Sequence, residues 1–176
     1  MIAKIITNII LIIGLGVAQI SLVSGLPGMA SNLNLVLVIL IFILGFSSFD
    51  AAVYWVVGLG FLLEIFSFLS FGAYLFSLSF TIIIANFLLN YFFTNRSLYS
   101  FLALTALATV IYELVINFFA LIFIEINSFA SLAASNFWFS MLEKIGLNIL
   151  FTLIIYYIIY FLGRSLKPVF LIHPAK

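Results

Sequence analysis

The run IGLNILFTLIIYYIIYFL, Ile145–Leu162, carries no charged residue over its whole length. As a helix rising ~1.5 Å per residue it approaches the ~30 Å hydrocarbon thickness of a bilayer, which takes about 20 apolar residues to cross. Ile5–Val23 has the same character, and Ala51–Leu69 is interrupted only by Glu64. The rest of the chain agrees with these blocks. Only 6% of the 176 residues are Asp, Glu, Lys or Arg, and 67% are hydrophobic. A soluble domain carries roughly a quarter of its residues charged. The sequence therefore specifies an all-α, polytopic membrane protein, built as a single integral-membrane domain over residues 1–176.

Six spans are predicted, at about 4–24, 29–47, 51–69, 71–94, 98–125 and 145–163. The second has the shortest apolar core, Leu35–Phe46, with Pro27 and Gly28 before it. Charge placement decides between five spans and six. With six, Lys4, Arg96, Arg164, Lys167 and Lys176 share one face and only Lys144 lies on the other. The positive-inside rule then makes that face cytoplasmic, with both termini on it. The N-terminal apolar run has no small-x-small cleavage site after it and reads as the first retained helix. Short turns at Ser47–Asp50, around Ser70 and at Thr94–Ser97 make consecutive helices antiparallel neighbours. Between spans five and six, Ile126–Lys144 carries Phe137-Trp138-Phe139, which suits either a short surface helix or a loop with an aromatic belt.

Several function classes drop out. The net charge of +1 gives no basic surface for nucleic acid. There is no cysteine, which excludes disulfides and thiol chemistry. The single histidine, His173, sits in the C-terminal tail without a nearby ligand partner. No P-loop, zinc spacing or haem motif is present, so neither an enzyme nor a cofactor is expected.

What remains is polar chemistry inside the spans. Thr105, Thr109, Glu113 and Asn117 recur every four residues and so share a slowly drifting face of span five. Asn86 and Asn90 lie one turn apart in span four. Because spans four and five are neighbours, the two sets are expected to form an interhelical network. Its reading is structural glue, with a polar pocket as the alternative. In span three, Gly60, Glu64 and Ser67 share a face, and Lys144 is the basic residue nearest in depth for a Glu64–Lys144 pair. In span one, Asn8 and Gln19 are expected on one face, and Gly14 and Ala18 form a small-residue step suited to helix packing.

From Asn32 to Val115 the pattern resembles the bacterial rod-shape-determining protein MreD family. The pieces that carry the resemblance are Pro27, Asn32-Leu33-Asn34-Leu35, Gly60…Glu64…Ser67 and Phe71-Gly72. A basic turn at Arg96 follows, running into Ala106-Leu107-Ala108-Thr109-Val110-Ile111-Tyr112-Glu113-Leu114. The chain departs from the family pattern in having Glu64 where an aspartate is expected, Asn where proline-aspartate often precedes span two, and one basic residue in the fourth turn instead of several. The resemblance implies a non-enzymatic component of the cell-elongation machinery in the bacterial cytoplasmic membrane. Its partners there would be an MreC-like bitopic protein, the peptidoglycan synthase complex and the lipid bilayer. A substrate-binding subunit of an energy-coupling-factor vitamin transporter, also a small six-span bundle, is the rival expectation.

Overall fold

The computed structural model describes residues 2–23, 25–67, 71–93, 97–123 and 135–170, and every regular element among them is helical. Helix α1 (Ile2–Val17) runs straight into a π-helical turn, Ala18–Val23. A 3-10 turn, Gly28–Asn32, leads to α2 (Leu35–Phe46). Then come α3 (Phe49–Ile65), α4 (Ala73–Tyr91), α5 (Leu98–Phe123) and α6 (Ser135–Phe170). Three stretches are long and apolar enough to cross a membrane: Ala73–Tyr91, Leu98–Ala120 and Phe137–Leu162.

The centre of the bundle is its shortest helix. α2 is apolar all the way round, and such a helix must be enclosed on every side. Val36, Leu37, Val38, Leu40 and Ile41 have no accessible surface, and α2 touches all five other helices. At ~1.5 Å per residue its 12 residues reach only about 18 Å. The 3-10 turn before it supplies the rest of the predicted span 29–47. At the far end of α2, Phe42 and Phe46 stack on Phe101 of α5, with centroids 5.0 and 5.2 Å away, and Tyr156 of α6 leans on the same ring.

Close approach elsewhere depends on glycine. A Cβ at Gly16 would stand 3.1 Å from the Leu62 side chain, and one at Gly58 would stand 2.9 Å from Ile12, so α1 lies directly on α3. Within the chain this contact does not use the Gly14–Ala18 step. A Cβ at Gly14 would meet nothing within 4 Å. The outer face of α1, with Ile5, Ile6, Ile9 and Ile10, is about half exposed.

Two expectations change. Residues 135–144 are neither a separate surface helix nor a loop; they form the first turns of α6, and residues 124–134 lie outside those described. No proline interrupts Ser135–Ile145, so the helix simply continues. At 36 residues α6 is about 54 Å long, more than a bilayer core requires. Asn8 and Gln19 also part company: Asn8 is exposed, while Gln19 turns inward. The π turn that begins at Ala18 widens the helix there and breaks the eleven-residue register.

Candidate functional site

The start of a buried helix leaves backbone N–H groups without intrahelical partners, and a low-dielectric interior makes each one expensive. α2 begins in the middle of the bundle, and polar side chains from four elements gather there. Asn34, its N-cap, accepts from the Leu37 N–H at 2.9 Å. Gln19, from the π turn, clamps the same backbone with both ends of its amide. Its Oε1 accepts from Leu35 N at 2.8 Å and its Nε2 donates to Leu33 O at 3.2 Å. Asn148 of α6 accepts from Asn34 N at 2.8 Å. Tyr112 of α5 lines the same cavities as Asn34.

From that point a polar ladder runs between α5 and α6. Lys144 Nζ lies 2.8 Å from Glu113 Oε2. One turn along, Asn148 Nδ2 donates to Thr109 Oγ1 at 3.0 Å. One turn further, the Thr152 hydroxyl donates to that of Thr105 at 3.1 Å. Each step of four up α5 meets a step of four down α6, the register of an antiparallel pair. Asn117 completes the α5 side, donating to Glu113 O at 2.7 Å and reaching its Oε2 at 3.5 Å.

The four-residue stripe Thr105–Asn117 thus bonds to α6 and not to α4. Asn86 and Asn90 bond each other, Nδ2 of Asn90 to Oδ1 of Asn86 at 3.2 Å, on a partly exposed face of α4. Short turns made α4 and α5 neighbours, yet adjacency alone does not decide which face of α5 meets which helix. The signal that identifies the true partner was the matching spacing of Lys144, Asn148 and Thr152.

Glu64 does not pair with Lys144. It is 94% buried, and its Oε1 accepts from Leu75 N at 3.0 Å. α4 begins after Gly72, whose φ of +99° suits glycine and whose lack of a side chain leaves the helix uncapped. Glu64 supplies the missing cap from α3. Gly60, one turn earlier, lets the two helices close up: a Cβ there would stand 3.0 Å from Leu75 Cα. Among the described residues, Glu64 Oε2 and Ser67 Oγ are buried without a hydrogen-bond partner.

Beside the α2 start the packing opens into a cleft of about 390 Å³, walled by Asn32, Asn34, Tyr74, Glu113, Asn117 and Lys144 among others. A second chamber of about 220 Å³ adjoins it, sharing Gln19, Asn34, Tyr74 and Tyr112 and reaching Ser67. At the rim Asn32 Nδ2 donates to Glu143 Oε2 at 3.1 Å. Among the described residues, no group of three or more His, Asp or Glu stands where it could hold a metal ion. No family model matches this chain, and no curated protein or solved structure matches it either.

Proposed function

We propose that this chain is a non-enzymatic membrane component of the bacterial cell-elongation machinery, of the MreD kind. It would scaffold peptidoglycan synthesis together with an MreC-like bitopic protein and the synthase complex. In this reading the helices cross the cytoplasmic membrane six times with both termini cytoplasmic, as the bias of five basic residues against one supports. The observation that carries it is spatial. The stretches behind the resemblance are far apart in sequence: Asn32–Leu35, Gly60…Glu64…Ser67, Gly72 and Tyr112-Glu113. All of them gather around the α2 start and the α3–α4 junction. There they do structural chemistry, capping α2 and α4 and bonding α5 to α6. Polar residues spent on holding helices together are what a scaffold needs.

Gentle affinity purification from native membranes, followed by mass spectrometry, tests the proposal. The expected companions are a single-span coiled-coil protein and a glycan polymerase or transpeptidase. Recovery of paired ATPases with a helical coupling protein would instead make the chain a vitamin-capture subunit.

A further inference from the structure

The cleft beside the α2 start has chemistry that the scaffold role leaves unused. Among the described residues Lys144 has one hydrogen-bond acceptor, Glu113 Oε2, although an ammonium carries three N–H donors. Its side chain is 28% exposed and lines the cleft. Glu113 lines it too, and both named contacts to its carboxylate fall on Oε2, leaving Oε1 as an acceptor. A donor-rich cation and an acceptor-rich anion therefore stand side by side on one wall. Tyr74 lines the same space, which is large enough for a molecule of modest size and has Leu33, Ile116 and Ala120 as apolar surface.

Opposite charges fixed this close disfavour a ligand of either single charge, since it gains from one group what it loses to the other. A ligand that carries both signs a few ångströms apart satisfies both groups at once. The capped N-terminal end of α2 lies beside the cleft, and its helix dipole adds a partial positive charge there, which favours a ligand's anion. The buried Ser67 hydroxyl in the adjoining chamber, without a partner among the described residues, offers a further hydrogen bond to a longer molecule.

We propose that this cleft binds a small zwitterion, its anionic group on Lys144 and its ammonium on Glu113. A phosphoethanolamine group has that chemistry, either as a free solute or as the headgroup of a lipid. The proposal stands apart from the scaffold reading, because its test involves no partner protein.

The test uses the full chain in nanodiscs of dioleoylphosphatidylglycerol, with thermal unfolding as the readout. Phosphoethanolamine is expected to raise Tm by about 4 °C at saturation, while ethanolamine and inorganic phosphate leave it unchanged. If Tm rises instead only when dioleoylphosphatidylethanolamine replaces part of the disc lipid, the proposal holds with the lipid as the source. Either single-charge probe matching phosphoethanolamine overturns it, as does the absence of any shift from both solute and lipid. Lys144→Gln and Glu113→Gln are each expected to abolish the shift. Ala120→Phe fills the cleft while leaving Glu113 and Lys144 in place, and so decides the matter even if those two variants fold poorly. The shift should vanish in Ala120→Phe, and its survival there would place the probe elsewhere and sink the idea.

Discussion

At the scale of single residues, the two buried glutamates, Glu64 and Glu113, solve different problems. Glu113 forms an ion pair whose partner keeps 28% of its side chain accessible. Removing one member of a buried pair costs several kcal/mol because it strands the other charge, and partial exposure lowers that figure. Glu113→Leu is accordingly expected to destabilise the protein by about 2 kcal/mol. Adding Lys144→Leu should recover much of the loss, and a double-mutant cycle on thermal unfolding measures the coupling. Glu64 acts as an acceptor for a backbone N–H, which requires an oxygen but no charge. Glu64→Gln should therefore keep the Leu75 cap and nearly full stability. Glu64→Leu removes the cap and is expected to cost about 1–2 kcal/mol, read from the same melts; equal losses for the two variants would contradict the capping role.

At the scale of elements, the helices and most of their ends were legible in the sequence, because long apolar runs and their polar punctuation report where a chain can enter and leave an apolar layer. The faces were legible too: the spacing of Thr105, Thr109, Glu113 and Asn117 marks one side of α5. What the spacing could not provide was the partner. Periodicity within one helix fixes which residues point together, but the helix they meet is set by packing across the whole bundle. Here α6 wins that face from α4 because its own Lys144, Asn148 and Thr152 match it rung for rung. The same limit explains the glycines. Sequence singled out Gly60, which does stand at a helix crossing, and the Gly14–Ala18 step, whose Gly14 does not; Gly16 and Gly58 stand at crossings it did not mark, since only three-dimensional proximity tells an open face from a closed one. Gly60→Ala should push α3 and α4 apart against backbone and cost about 1–3 kcal/mol. Gly14→Ala has open space and a better helix former, so it should be neutral or stabilising by up to about 1 kcal/mol. Thermal unfolding of the two variants side by side checks the contrast.

At the scale of the whole molecule, the absence of cysteine makes sidedness directly measurable. Single cysteines at Asn95 and Ser128 can be probed with a membrane-impermeant maleimide in intact cells. Six crossings predict labelling at Ser128→Cys from outside and at Asn95→Cys only after permeabilisation; the reverse pattern would refute the inferred orientation. The arrangement of the bundle also bears on how the chain is made. Its central helix leaves the ribosome well before its partner: the amide that receives the Asn34 N–H belongs to Asn148, 114 residues later. Glu113 likewise waits 31 residues for its lysine. Until α6 arrives, a backbone donor at the hub and a carboxylate in α5 remain exposed to whatever else the membrane offers. A nascent chain is therefore chemically incomplete until α6 has been made, and a product truncated before α6 displays unmet polar groups of the kind by which membrane quality control selects chains for degradation.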